Sequence, residues 1–109
     1  MYTQITHIKV PLNQMALFRQ VIEEKYLPVV RGRPGFLAGY LMEQVDDPDC
    51  AQLILFWDDH ASVENFHRTG LLQASISILA SEVPGVTLHR ESYLVKVVTK
   101  AARPEAMSA

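Results

Sequence analysis

Arg33-Pro34-Gly35-Phe36 ends one predicted helix and opens a predicted strand, and Leu53-Ile54-Leu55-Phe56-Trp57 forms a second strand that leads into a helix carrying Phe66-His67. Proline and glycine interrupt regular elements, whereas a short run of large apolar and aromatic residues is typical of a buried strand. These stretches therefore determine the order of the elements around them and predict the place where a strand meets a helix.

Hydrophobic spacing and turn residues predict the other elements. Pro11 ends a first strand rich in β-branched residues, and Asn13 is the candidate N-cap of the first helix. Pro28 is expected to kink or end that helix, and Gly70 to bend the second one. The predicted strands are 3–10, 36–45, 51–57 and 87–98. Three helical segments are predicted: one after Asn13, a second from near Ala61 and a third at 71–81. The first has an apolar stripe formed by Met15, Phe18, Ile22, Tyr26 and Val29.

The element order βαββαβ predicts an α+β fold, a ferredoxin-like sandwich whose four-stranded antiparallel sheet carries two helices on one face. Two helices cover only that face, yet the strands are apolar on both. Strand two is expected to send Phe36, Ala38, Tyr40 and Met42 one way and Leu37, Gly39, Leu41 and Val45 the other. An apolar second face predicts an isologous homodimer that pairs through its sheet faces.

The composition predicts one small cytoplasmic domain. The chain has 109 residues, which suit a single domain at 1–100 followed by a flexible, polar tail at 101–109. A net charge of -2 and scattered basic residues argue against nucleic acid, and no apolar run is long enough to cross a membrane. Cys50, the single cysteine, lies in a polar turn and is interpreted as an incidental thiol.

Helix phase singles out one ionisable group on the second helix. Val63, Phe66, Gly70 and Ala74 share an arc, and His67 falls inside it, so its imidazole is expected to point inward. A buried imidazole near neutral pH suits a general base or a hydrogen-bond partner. The alternatives are a core histidine bonded to the backbone and a half-exposed one at a helix bend.

Aromatic residues supply candidate walls for a flat apolar ligand. The candidates are Phe36, Tyr40, Trp57 and Phe66, although a buried tryptophan equally suits packing. His7, His89 and Tyr93 could reach a shared sheet face, as ligand contacts or as structural residues. His60, Glu64 and His67 have a spacing that could offer metal ligands, but the helix-start position of His60 argues against it, and neither a metal nor a cofactor is predicted. Asp58-Asp59 is interpreted as a helix cap.

The ordered set of Pro34-Gly35-Phe36, Trp57 and His67 resembles the dimeric α+β barrel proteins of the antibiotic biosynthesis monooxygenase type, over about residues 3–98. The resemblance implies a cofactor-independent monooxygenase that oxidises a small aromatic molecule, such as a quinol or an anthrone, with dioxygen. It implies His67 as the residue that accepts or positions the substrate proton. The implied ring contacts are Trp57, Phe66, Tyr40 and Phe36, with Tyr93 as a candidate for orienting an oxygen.

The match to this family leaves alternatives open. Counted from Trp57, the functional helix position falls on Phe66, and His67 takes that place only if the preceding loop holds one extra residue. Haem degradation is disfavoured, because Phe66 stands where haem-degrading relatives have tryptophan and the position of their later histidine falls near Ile76. A non-catalytic dimer that binds a small ligand, or a stress-response dimer, fits the same sequence.

Overall fold

Four antiparallel strands form one sheet in the order β2-β3-β1-β4, with every helix on one face, which confirms the ferredoxin-like α+β prediction. The structure is a computed structural model that describes residues 1–102, so nearly all of the predicted tail at 101–109 lies outside the described residues. The elements are β1 Tyr2–Lys9, α1 Met15–Val21, a π-helical turn Ile22–Tyr26, α2 Leu27–Arg31, β2 Phe36–Glu43, β3 Cys50–Trp57, α3 His60–Arg68, α4 Leu71–Glu82 and β4 Thr87–Leu94.

The first helical region contains a π-helical turn that the sequence did not predict. Pro28 does not end the helix: it lies just after the π-helical turn, and the helix continues to Arg31. The extra residue of the turn shifts the helix phase, so Val30 is fully buried while Val29 of the predicted stripe is only half-buried. Asn13 is not the N-cap: its φ is 64°, and Gln14 holds that position.

A β-bulge near the start of β2 changes the predicted faces of the sheet. Phe36 pairs with Trp57, whereas Ala38, two residues later, pairs with Phe56, which is only one residue from Trp57 on β3. The bulge adds one residue on the β2 side, so Phe36 lies on the helix-covered face. The prediction that Phe36 shares a face with Tyr40 is therefore wrong.

The Pro34-Gly35-Phe36 turn is joined directly to the start of α3. Gly35 has a φ of +82°, and a Cβ on it would lie 2.1 Å from Ser62 Oγ and 2.4 Å from Asp58 Oδ1. The Asp58 N–H donates to the Gly35 carbonyl at 2.9 Å. Asp59 caps α3 by accepting from the Ser62 N–H at 2.9 Å, which confirms the predicted cap. Only glycine satisfies both the backbone angle and this close contact.

The fourth strand is shorter than the predicted 87–98. Leu94 pairs with Tyr2, the first residue of β1, and the Val95 N–H still donates to the Met1 carbonyl at 2.9 Å. Gly70, with a φ of 76°, separates α3 from α4 at the predicted bend. No helix within residues 1–102 is both long and apolar enough to span a membrane.

Candidate functional site

Three of the four aromatic residues predicted to hold a ligand, Trp57, Phe36 and Phe66, pack against one another. Trp57 is 0 % exposed and lies with its ring centre 5.4 Å from that of Phe36 and 5.6 Å from that of Phe66. Its indole N–H donates to Gln4 Oε1 at 3.1 Å, so the polar atom is satisfied inside the protein. These rings fill the space between sheet and α3, which favours packing, the alternative considered for Trp57.

Three other predicted contacts lie on the opposite face of the sheet. Tyr40 is 57 % exposed there and packs edge-on against Phe56. His7 Nε2 lies 3.3 Å from Glu91 Oε1, and the Tyr93 hydroxyl donates to Glu91 on the same face. The sheet separates these side chains from Trp57 and Phe66, so the predicted residues do not form one pocket within a subunit.

His67 lies at the surface edge of α3 and does not point into the core as predicted. Its Nε2 is 3.3 Å from Nη1 of Arg90 on β4. A guanidinium only donates, so Nε2 accepts this hydrogen bond and the ring proton sits on Nδ1. Partial desolvation, and then the charge of Arg90, lower the pKa of His67 from its ordinary value. The imidazole is therefore neutral at pH 7.

A cavity of about 160 Å³ lies between the sheet and the helices, at the end away from the aromatic rings. Its sheet side follows the register: Leu53, Thr6 and Arg90 are paired across β3, β1 and β4, with Ile8 and Leu88 alongside. The helix side consists of Phe18, Ile22 and Tyr26 from the first helical region and Ile76 and Leu79 from α4. Both ends of the π-helical turn thus contribute a side chain, and such turns are frequent at functional sites.

Two polar side chains give this apolar cavity its electrostatic character. Burial raises the pKa of Tyr26 to about 12, with the charge of Arg90 acting in the opposite direction, so Tyr26 is a neutral phenol at pH 7. Within residues 1–102, Arg90 forms no ion pair with a carboxylate. An unpaired guanidinium beside a cavity can stabilise an anionic oxygen of a ligand.

The sequence did not single out Tyr26 or Arg90. Tyr26 was expected in the stripe that faces the sheet, which is correct, but nothing in the stripe showed that the sheet would leave space beneath it. Arg90 was one of several scattered basic residues. Arg90 is two residues after Leu88, so the two side chains lie on the same face of β4. The sequence could not show that this face lies under the helices, because that depends on the register of the strands.

The other histidines that the sequence offered as ligand contacts or metal ligands lie in two further places on the surface. His7 and His89 help to line a wide concavity of about 570 Å³ on the open face of the sheet. His60 Nε2 lies 3.1 Å from Glu64 Oε1, and its ring packs against Tyr2. In the part of the chain that the structure describes, no three His, Cys, Asp or Glu side chains are grouped to bind a metal ion.

Solved structures with the same fold include a protein from Deinococcus radiodurans described as a candidate antibiotic biosynthesis monooxygenase. It is 16% identical, covers 94% of this chain and 100% of its own, and has a TM-score of 0.79. SnoaB, a cofactor-independent oxygenase from Streptomyces nogalater, is 16% identical with a TM-score of 0.76 and covers 89% of this chain and 94% of its own. MhuD, solved as a variant with two manganese protoporphyrin IX molecules per active site, is 17% identical with a TM-score of 0.75. The match covers 93% of this chain and 100% of MhuD.

At these identities the solved structures establish the fold alone, and no curated protein sequence matches the chain. The family assignment comes from the sequence. The profile of the family described as "Antibiotic biosynthesis monooxygenase" matches residues 1–77, which span β1 to α4 and include most of the residues around the cavity. The chain belongs to the antibiotic biosynthesis monooxygenase family.

Proposed function

We propose that this protein is a cofactor-independent monooxygenase that oxidises a small aromatic substrate, a quinol or an anthrone-like phenol, with dioxygen. The observation that carries the proposal is the guanidinium of Arg90 at the wall of an apolar cavity, without a carboxylate partner in residues 1–102. A phenolate needs an apolar space for its ring and a cation for its oxygen, and this cavity offers both.

Arg90 and Tyr26 at the cavity, and His67 beside Arg90, each have a role in this proposal. Arg90 binds the substrate oxygen and favours its ionised form. His67, neutral and 3.3 Å from Arg90, takes the phenolic proton when Arg90 turns from the imidazole to the phenolate. Tyr26 remains protonated, because its pKa is raised to about 12, and donates a hydrogen bond to oxygen atoms within the cavity.

The reaction balances without a resident cofactor. The hydroquinone anion gives one electron to dioxygen, and the radical pair combines to form a ring C–O bond, which yields a hydroperoxide. The proton on that ring carbon then leaves as the O–O bond breaks and water departs. The sum is hydroquinone plus dioxygen to hydroxybenzoquinone plus water, in which the substrate supplies all the electrons.

The cavity supports this chemistry better than haem degradation. A volume of about 160 Å³ is well below the roughly 300 Å³ at which pockets for drug-sized ligands begin, and a porphyrin is larger than such ligands. MhuD binds two porphyrins in its active site. In this chain one end of the layer between sheet and helices is filled by Trp57, Phe66 and Phe36.

The test is oxygen uptake by the purified protein with hydroquinone and with anthrone, after metal chelation and with the uncatalysed rate subtracted. We expect hydroxybenzoquinone from hydroquinone in equal amount to the oxygen consumed. Arg90→Met should lower kcat/KM by about a hundredfold to a thousandfold, as for removal of an oxyanion donor. The control is Arg68→Met, which removes an exposed guanidinium from the end of α3. Binding of these phenols without oxygen uptake would instead identify a non-catalytic carrier.

The proposal includes a homodimer that buries the open face of the sheet. Tyr40, Ile54 and Phe56 lie on this face with Ile5, and no element within residues 1–102 covers them. A second copy of the same face is self-complementary, as an isologous interface requires. Light scattering should give twice the chain mass for the wild type and the monomer mass for Tyr40→Glu. Leu12→Glu, in the exposed loop before α1, should stay dimeric. A monomeric wild type would refute this pairing.

A further inference from the structure

The size of the cavity and the position of its single cation together define a narrower ligand class. We infer that the cavity accepts a single-ring phenol or quinol, with its hydroxyl at Arg90, and excludes fused-ring phenols, so that of the two substrate classes proposed above the quinol fits and the anthrone does not. This inference rests on the proposed function for the identity of the site, but it concerns the size of the ligand and can be tested without turnover. Ile76 is the residue to which we assign the size limit.

The volume of the cavity matches one aromatic ring. An engineered protein cavity of about 150 Å³ lined by Leu, Ile and Phe binds benzene. The cavity of this protein measures about 160 Å³ and is lined mostly by Leu, Ile and Phe, with Thr6, Tyr26 and Arg90 as its polar residues. A phenol adds one oxygen to benzene, which fits, whereas a second fused ring adds four carbon atoms for which the walls leave no space.

The inner walls cannot easily move to enlarge the cavity. Phe18, Ile22, Leu53 and Leu79 are all buried in the main core, where displacement of one side chain disturbs its packed neighbours. Enlargement at this end would therefore cost stability. The ring of a bound phenol is confined between the sheet and the first helical region.

The polar groups set the direction in which the ligand enters. Thr6 and Arg90 are paired directly across β1 and β4, so their side chains lie next to each other on the sheet side. Arg90 is exposed and Leu53 is buried, which places the polar end towards solvent and the apolar end inside. A phenol that points its oxygen at Arg90 must place its ring towards Leu53, the closed end.

Ile76 is the wall that can yield. It lines the cavity from α4 but is only half-buried, unlike Leu79 one turn further along the same helix. Truncation of Ile76 therefore extends the cavity towards solvent and leaves the inner packing in place. Ile78, on the same helix, is 40 % exposed and does not line the cavity. It provides a matched control for loss of the same side chain.

The experiment is calorimetric titration under nitrogen with phenol and 2-naphthol, so that oxidation cannot interfere. Burial of more apolar surface alone would make 2-naphthol the tighter ligand. We expect the opposite for the wild type, with phenol bound at least tenfold more tightly. Ile76→Ala should improve 2-naphthol binding at least tenfold with little change for phenol, and Ile78→Ala should resemble the wild type.

The binding and oxygen-uptake results together separate the single-ring size limit from the oxygenase function. Phenol binding with this size preference, but no oxygen uptake on hydroquinone, supports the inference and removes the oxygenase function. Equal or tighter binding of 2-naphthol by the wild type, or no binding of either phenol, overturns the inference whatever the oxygenase activity. If Ile76→Ala does not fold, Ile76→Val serves in its place, and an unchanged preference in the folded variant removes the assignment to Ile76.

Discussion

The two ends of the layer between sheet and helices have opposite character. At one end Trp57, Phe36 and Phe66 pack ring against ring. At the other, Thr6 and Arg90 stand on the sheet, and a cavity separates them from Tyr26. The comparison teaches that a concentration of aromatic side chains predicts dense packing, whereas a small or polar side chain where the strand pattern calls for a large apolar one predicts a cavity.

The filled end should be the more sensitive to substitution. Gly35→Ala forces a β-carbon into Ser62 and Asp58 at a positive φ, so we expect a loss of roughly 2–4 kcal/mol in the free energy of unfolding. Chemical denaturation measures this change. Gly32→Ala is the control, because a β-carbon there meets nothing within 4 Å. Equal effects of the two substitutions would mean that the joint between β2 and α3 is not rigid.

Trp57→Phe tests whether the filled end also binds substrate. The variant loses ring volume and leaves Gln4 without its indole partner, which should cost about 1–3 kcal/mol of stability. The rate of oxygen uptake per folded molecule should stay within about twofold of the wild type, since the cavity is lined by other residues. A selective loss of substrate affinity would place the binding site at the aromatic end and reverse the comparison.

The hollow end should respond to pH through His67. Its pKa is lowered by desolvation and by Arg90, so the acid limb of the kcat/KM profile should lie below the ordinary value of 6.5. In the unfolded chain His67 binds its proton more tightly than in the folded one, so its protonation lowers stability as the pH falls below 6.5. In Arg90→Met, NMR titration should find a higher pKa for His67, although still lowered by desolvation. An unchanged pKa would show that Arg90 does not act on the imidazole.

The smallest effect concerns Tyr26. Its phenol should ionise near its pKa of about 12. Its contribution to stability is complete below pH 10.0, the ordinary value, and is lost as the pH rises towards 12. The absorbance of tyrosinate follows this ionisation, and Tyr26→Phe should remove the absorbance that develops near pH 12. Loss of absorbance that develops near pH 10.0 instead would mean that the Tyr26 hydroxyl is hydrated.

The sequence predicted the element order and the Asp59 cap because these follow from local signals, namely apolar spacing, turn residues and a carboxylate before a helix. It did not predict the bulge at Phe36 or the π-helical turn, because each adds one residue that no local pattern reveals. The cavity depends on which residues the sheet register aligns. His67 was expected to point inward, but its imidazole lies at the surface beside Arg90, which is 23 residues away in the sequence.

The π-helical turn also offers a route by which the specificity of such a protein can diverge. The turn holds one residue more than an α-helical turn of the same span, so deletion of Glu23 or Glu24 would restore regular α-helix. Side chains on both sides of the deletion would keep their directions, because the π-helical turn accommodates the extra residue within itself. A single codon lost or gained at this point would therefore change only the side chains of the turn, between Ile22 and Tyr26, while the flanking helix and the sheet beneath, with Thr6 and Arg90, stayed the same.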